Sequence, residues 1–176
     1  MTDDLRTTWL VLRQWREDDR EPFAALNADP VVMRYFPAPL DRAASDAFLD
    51  RQAGLIDERG WGLWAVEAAG SFIGFVGLQP AYDDMPCYPA VEVGWRLAAA
   101  SWGNGYAPEG GRAALDFAWQ RLGLDEVVSF TTERNAPSRR VMEKIGMHHQ
   151  PERDFDHPRV AGWVGQRHVL YAISRP

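Results

Sequence analysis

A predicted strand, a glycine-rich loop and a predicted helix follow one another in residues 91–122, and this unit constrains the fold more than any other feature. VEVGWRL, residues 91–97, alternates as a strand with one solvated or functional face does. SWGNGYAPEGG follows at residues 101–111, and helical spacing begins near Pro108, which suits a first helical turn. Backbone N–H groups at a helix start lack intrahelical partners and lie at the positive end of the dipole. The unit therefore predicts an anion site suited to phosphate.

The remaining sequence predicts short strands and helices in alternation. Strands are predicted near residues 9–15, 62–68, 71–79, 127–132 and 168–173, with an AAG hairpin turn at residues 68–70. Helices are predicted near residues 18–27, from Ser45 as cap to Gly60, and from Asn135 as cap to Gly146. Strands and helices are too intermixed for a bundle or a sandwich, so the predicted fold class is α/β (α+β).

Composition and charge narrow the class further. The 176 residues, 46% of them hydrophobic, suffice for one core, and we expect a single domain over residues 1–176. A net charge of −6 disfavours nucleic acid and anionic membranes and makes cationic amines easier partners. Neither a targeting sequence nor an apolar run of transmembrane length is evident, so we expect a soluble, cytoplasmic protein. Cys87 is the single cysteine and the histidines lack a second ligand at useful spacing, so we expect no metal.

Three ligand classes use a glycine loop before a helix. A Walker A loop is excluded, because no Gly-Lys pair followed by Ser or Thr occurs. A dinucleotide fingerprint counted from Gly103 has Pro108 where its third glycine belongs, and the nearby acids precede the next strand, which disfavours a nicotinamide cofactor. The pyrophosphate of coenzyme A remains. The alternative is that Gly103 and Gly105 only make a tight turn.

Two separated stretches carry a resemblance to a known family. VEVGWRLAAASWGNGYAPEGGRAALDFA and VVSFTTERNAPSRRVMEKIGMH resemble the GNAT superfamily of acyl-CoA-dependent N-acetyltransferases, in the branch of the ribosomal-protein N-terminal acetyltransferases. The resemblance extends over nearly the whole chain. The family's acyl-CoA loop pattern falls on Trp102, Gly105 and Ala107. Pro108 departs from the pattern, because relatives often have an N–H there.

The resemblance implies the fold and the mode of donor binding. The fold is a mixed, twisted sheet in which strands 91–97 and 127–132 splay into a V that holds the pantetheine arm of acetyl-CoA. Family members often pair as homodimers. The residues that match the family's cofactor contacts are the backbone of Trp95, Arg96 and Leu97 for pantetheine, the loop residues Trp102, Gly103, Asn104, Gly105, Tyr106 and Ala107 for pyrophosphate, and the side chains of Asn135, Ser138 and Arg140.

The chemistry of acyl transfer requires an unprotonated amine and a proton for the leaving thiolate. Glu92 matches the family's strand glutamate and is the candidate general base; the alternative is a solvated or paired glutamate. Ser138 fits the hydroxyl placed near the coenzyme sulfur, where it can protonate the thiolate. Its alternative role is to satisfy a local N–H in the first helical turn.

The sequence indicates the residues that bind the acceptor less clearly than those that bind the donor. The candidates that correspond to acceptor-lining segments in relatives are Tyr35, Phe36, Trp64, Asp154, Asp156 and His157. The aromatic residues can equally be core residues, and the two aspartates either attract a cationic amine or are simply solvated. His157 is also an alternative base.

The resemblance thus predicts an N-acetyltransferase that moves acetyl from acetyl-CoA to a primary amine. The amine can belong to a protein N-terminus, a polyamine, another small amino compound or an antibiotic, and the fold does not choose among them. The alternative from a different class is a non-catalytic acyl-CoA-binding module.

Overall fold

The structure, a computed structural model, describes residues 4–176. Its helices and strands alternate along the chain as the sequence predicts. The elements are β1 (Leu5–Arg6), β2 (Leu10–Arg13), α1 (Arg20–Ala28), α2 (Arg42–Arg59), β3 (Leu63–Ala68), β4 (Ser71–Pro80), β5 (Val91–Leu97), α3 (Tyr106–Gln120), β6 (Glu126–Thr132), α4 (Ala136–Lys144), β7 (His148–His149), β8 (Phe155–Asp156) and β9 (Arg167–Ser174).

The strands form one mixed sheet, which confirms the predicted fold class. Their order is β1-β2-β3-β4-β5-β6-β9-β7, with β8 also paired to β9. Within the described residues every pairing is antiparallel except that of β5 with β6, which is parallel. β5 and β6 are in register at a single pair, Glu92 opposite Val128. Beyond that pair the two strands diverge, so the splayed V is present.

Helices cover both faces of the sheet. Phe75 of β4 points to one face, where it packs against Phe23 of α1 and Phe48 of α2 at ring distances of 6.2 and 5.4 Å. The next residue, Val76, points to the other face, where a Cβ on Gly110 of α3 would lie 3.2 Å from its side chain. α3 therefore packs closely on that face, and α1 and α2 cover the opposite one.

Local chemistry places most helix ends where the sequence predicts them. Gly60 ends α2 in the left-handed region, with φ at 82°. Asn135 caps α4, and its side chain accepts a hydrogen bond from the Ser138 N–H at 3.3 Å. Ala69 and Gly70, with φ of 49° and 76°, make the two-residue hairpin turn between β3 and β4.

The prediction that Ser45 caps the second helix is wrong. Asp41 is the cap, since its carboxylate accepts from the Ala44 N–H at 2.8 Å, and α2 begins at the next residue. Ser45 lies inside the first turn and is buried, and its hydroxyl accepts a hydrogen bond from Asn27 of α1 at 2.9 Å. Serine is common at helix caps, but here its side chain joins α2 to α1.

None of the helices in residues 4–176 combines the length and the apolar character that crossing a membrane requires. The prediction of a single domain stays a prediction.

Candidate active site

A cleft of about 560 Å³ lies where β5 and β6 diverge. Its walls include both strands, the loop after β5, the first turns of α3 and α4, and parts of the loops at residues 32–37 and 157–168. Most of the side chains predicted for the site from the sequence are brought together here. The exceptions are Asn104, Trp64, Asp154 and Asp156, which do not line the cleft.

The glycine loop is fastened to the end of β5. Trp102 donates its indole N–H to the Leu97 carbonyl at 2.9 Å, and the Asn104 amide donates to the carbonyls of Ser101 and Trp102, each at 3.2 Å. Asn104 therefore holds the loop from outside rather than facing the cleft with its side chain. These hydrogen bonds hold the loop against the end of β5.

Gly103 and Gly105 are required by backbone conformation. Both have φ of 81°, which residues with a Cβ rarely adopt, although none of the described residues comes within 4 Å of where either Cβ would be. Gly105 immediately precedes α3, so the N–H groups of Tyr106 and Ala107 in the first turn lack intrahelical partners. Pro108 is the third helical residue, and its missing N–H would also have been unpaired within the helix.

Glu92 sits at the point where the two strands part. Its side chain is buried, and one carboxylate oxygen accepts a hydrogen bond from the Gln79 amide of β4 at 2.8 Å. Burial raises the pKa of Glu92 to about 7, and the hydrogen bond from Gln79 opposes that rise. A carboxylate in this state can both accept and release a proton near neutral pH.

Asn135 and Ser138 lie across the cleft from Glu92, at the start of α4. The Asn135 side chain is engaged at both ends: its oxygen accepts from the Ser138 backbone N–H, and its amide donates to the Thr131 hydroxyl at 2.9 Å. The second amide hydrogen of Asn135 is the part that can serve a ligand. Because Asn135 satisfies the backbone of Ser138, the Ser138 hydroxyl is not needed for capping.

Two aromatic residues and a histidine predicted for the acceptor side do line the cleft, namely Tyr35, Phe36 and His157. The His157 ring lies 4.8 Å from that of His168, which also lines the cleft. Burial lowers the pKa of His157, and the neighbouring His168 lowers it further. His157 is thereby favoured in its neutral form.

Three acceptor predictions are corrected by the structure. Trp64 is buried on the α3 face of the sheet, where its ring packs edge-on against Phe117 at 5.2 Å. Asp154 accepts the Leu170 N–H at 2.9 Å and lies 3.0 Å from the His149 ring, so its carboxylate joins neighbouring strands. Asp156 is exposed and lies 3.7 Å from Arg167.

The sequence reasoning missed several cleft residues. Gln79 is the residue directly opposite Glu92 on β4, and the register of that strand pair would have revealed it. Arg34 lies 4.8 Å from the Tyr35 ring and 5.5 Å from the Trp102 ring, beside the glycine loop. Arg96 was expected to contribute its backbone only, yet its side chain also lines the cleft.

Comparison with known proteins identifies the family. Residues 10–148 match the family model described as the acetyltransferase (GNAT) domain. The chain is 32% identical over 136 residues to the uncharacterized protein YkkB of Bacillus subtilis, covering 75% of this chain and 77% of that protein. It is 32% identical over 183 residues to the FsC-acetyl coenzyme A-N(2)-transacetylase of Aspergillus fumigatus, covering 97% of this chain and 76% of the relative. The chain belongs to the GNAT family of acetyl-CoA-dependent N-acetyltransferases.

Solved structures share the fold. An acetyltransferase from Agrobacterium tumefaciens superposes with a TM-score of 0.81 at 24% identity, covering 99% of this chain and 96% of that one. RimL, a ribosomal L7/L12 α-N-protein acetyltransferase in complex with coenzyme A, has a TM-score of 0.75 at 14% identity and 98% coverage of both chains. The spermidine N-acetyltransferase of Vibrio cholerae, in complex with CoA and spermine, has a TM-score of 0.73 at 19% identity and 96% coverage of both.

The residues present fit acetyl-CoA as cosubstrate. The unpaired N–H groups at the start of α3 suit its pyrophosphate, and the opening between β5 and β6 suits its extended arm. Within residues 4–176 there is no group of three or more His, Cys, Asp or Glu side chains that could hold a metal ion.

Proposed function

We propose that this protein transfers the acetyl group of acetyl-CoA to a primary amine by direct attack of the amine nitrogen on the thioester, with Glu92 as general base. The observation that carries the proposal is the burial of Glu92 in the cleft, which raises its pKa to about 7. A carboxyl group that is buried and about half protonated at neutral pH would add little to the stability of the fold if it had no other role. Its proton affinity suits catalysis better than passive acyl-CoA binding.

Two strand edges that face the V support the proposed binding of the acetyl-CoA donor. β5 pairs with β4 along its full length and β6 with β9, whereas β5 and β6 meet only at Glu92 and Val128. The N–H and C=O groups that β5 turns toward the V from Trp95 to Leu97 can therefore pair with the amides of the pantetheine arm. Backbone N–H groups from Gly103 to Ala107 bind the pyrophosphate, and Arg140 approaches the nucleotide end.

The chemical step uses two side chains on opposite walls of the cleft. The acceptor arrives largely as an ammonium ion, so Glu92 removes its proton, directly or through a water molecule. Glu92 passes that proton to solvent, and the free nitrogen forms the new C–N bond at the thioester carbon as the C–S bond breaks. The excess proton that the nitrogen then carries passes to Glu92, directly or through water, which leaves the neutral amide. Ser138 donates its hydroxyl proton to the departing sulfur and is reprotonated from solvent. Acetyl-CoA supplies the activated acyl group.

The experiment that tests this proposal measures free thiol release from acetyl-CoA with a panel of amines. We expect Glu92→Gln to lower kcat/KM by about 100-fold or more, while the Kd for acetyl-CoA stays near that of the wild type. Glu152→Gln, the same change at an exposed position outside the cleft, is the matched control. Unchanged kcat/KM in Glu92→Gln at every pH would remove the assignment. A cytoplasmic location and a homodimer stay predictions.

A further inference from the structure

Arg96 shares a face of β5 with Glu92. The two residues are four positions apart on one strand, and their partners on β4, Phe75 and Gln79, are also four apart. Phe75 packs under α1 and α2, so this is the face that those helices cover. An amine that reaches Glu92 from this side meets Arg96 on the same wall of the cleft.

The Arg96 guanidinium has no carboxylate partner within the described residues. One Nη1 N–H donates to the neutral side chain of Asn27 at 2.6 Å, and the Nε N–H is buried without any hydrogen-bond partner there. The rings of Phe36, Phe75 and Phe48 lie 4.4, 5.4 and 5.7 Å from the guanidinium carbon. Burial lowers the pKa of Arg96 to about 10, which still leaves it charged at neutral pH.

Arg13 shows how a desolvated guanidinium is paired elsewhere in this chain. Arg13 is buried beside α1 and pairs with Asp19 at 2.7 Å and also with Glu67. A buried cation normally requires such partners, because desolvation is costly. Arg96 is surrounded by aromatic rings instead, and among residues 4–176 its Nε N–H has no acceptor.

The charge of the cleft is opposite to that of the whole protein. Among residues 4–176, one carboxylate, Glu92, lines it, and the cationic side chains that line it are Arg34, Arg51, Arg96, Arg140 and Lys144. Arg140 and Lys144 lie on α4, the donor side, whereas Arg51 and Arg96 lie on α2 and β5. Away from the donor side, Arg51 and Arg96 still outnumber Glu92, which disfavours a polyamine and favours an acceptor that carries negative charge.

We propose that Arg96 binds a carboxylate of the acceptor, so that the substrate is an amino acid-type molecule whose reacting amine lies several bonds from that carboxylate. The inference rests on the proposed acetyl transfer with Glu92 as base. The Nε and Nη2 groups form the edge of a guanidinium that grips both carboxylate oxygens, and Nη1 is the group already used by Asn27. Four residues of strand separate the two Cα atoms by about 13 Å, which requires a spacer between amine and carboxylate.

The Phe36 ring lies over the Arg96 guanidinium. It lies on the segment between α1 and α2, is partly exposed, and stacks closest on the Arg96 guanidinium. The methylene chain of an ω-amino acid can replace part of that aromatic contact while its carboxylate meets Nε. The apolar surround then strengthens the ion pair by excluding water.

The test compares acceptors that differ only in the carboxylate: 4-aminobutyrate against propylamine, and 6-aminohexanoate against pentylamine. With the wild type we expect kcat/KM to favour the amino acid of at least one pair by about tenfold or more. Arg96→Gln should reduce this preference by about tenfold or more, measured as the ratio of kcat/KM within each pair, because the ratio cancels any loss that both members share, including that of the hydrogen bond to Asn27. Arg121→Gln, an exposed arginine at the end of α3, is the charge-matched control.

A second measurement separates this inference from the proposed function. Hexanoate has the carboxylate without an amine, and calorimetry should show that Arg96→Gln weakens its binding by about tenfold or more. Equal binding to both proteins, or an equal loss of turnover with both members of each acceptor pair, would overturn the carboxylate site and leave Arg96 as a tether for α1. Absence of thiol release with every amine would overturn acetyl transfer, and the hexanoate result would still decide the carboxylate site.

Discussion

Gln79 donates a hydrogen bond of 2.8 Å to Glu92, the residue directly opposite it in the register of β4 and β5. The bond stabilises the charged carboxylate, while burial of the same group favours its neutral form. The balance between these two effects sets the pH at which Glu92 can accept a proton. On the proposed mechanism, Gln79 therefore tunes the pKa of the general base.

The pH dependence of catalysis tests this relationship. We expect kcat/KM to fall on the acid side as Glu92 becomes protonated near pH 7. Gln79→Leu should move this limb to higher pH, because removing the donor raises the pKa of Glu92 further. The measurement is a pH profile of thiol release, with the exposed Gln120→Leu as control. A limb that stays in place in Gln79→Leu would contradict the role of this hydrogen bond.

The stability of the fold should depend on pH through Glu92. Its folded pKa of about 7 exceeds its ordinary value of 4.5, so the folded chain keeps a proton that the unfolded chain loses as the pH rises between these values. The resulting loss of stability is about 3 kcal/mol at pH 8, and Glu92→Gln should avoid it. Urea unfolding should show the variant to be the more stable protein at pH 8 and similar to the wild type at pH 4.5. Equal stabilities at both values would rule out the raised pKa.

Gly105 in the glycine loop and Gly123 outside it form a matched pair for substitution. Gly105 and Gly123 both have positive φ, of 81° and 64°, and both have open space around the missing Cβ. Gly105→Ala and Gly123→Ala should each lower the free energy of unfolding by about 1 kcal/mol. Only Gly105→Ala should also weaken coenzyme A binding, because it shifts the backbone that leads into α3. Equal Kd values for coenzyme A in the two variants would exclude the loop from pyrophosphate binding.

Ser138 can be removed without removing the helix cap, since Asn135 accepts from its backbone N–H. We expect Ser138→Ala to lower kcat by about tenfold or more, with an unchanged melting temperature and an unchanged Kd for acetyl-CoA. Ser174→Ala, at an exposed position near the C-terminus, serves as control. Full activity in Ser138→Ala would make the hydroxyl a spectator.

Features set by local chemistry were predictable from the sequence. The ends of helices at Gly60 and Asn135 follow from residue types that satisfy backbone groups within a few positions. The same reasoning failed at Ser45, because Asp41 also can cap and the serine is used for a contact with Asn27. Locally similar residues are distinguished by what packs against them.

Features set by tertiary packing were not predictable in the same way. The face to which β3 turns Trp64 depends on sheet order, and the pairing of Asp154 with β9 depends on a strand that comes later in the chain. The environment of Arg96 is built from α1, α2 and β4 together, so VEVGWRL by itself could not reveal an unpaired cation. The overall fold was accessible because its glycine loop and Asn135 helix resemble a family.

Because β5 and β6 are in register at a single pair, the pairing of strands across the sheet is interrupted between them. Strands on either side of the V are joined edge to edge only at Glu92 and Val128. On the proposed mode of donor binding, the amides of the pantetheine arm occupy the gap as a short extra strand would. Amide protons along that edge of β5 would then exchange more slowly when the donor is bound. The bound donor would also hold the two halves of the sheet together. On that proposal, the cosubstrate completes the part of the sheet that β5 and β6 leave open.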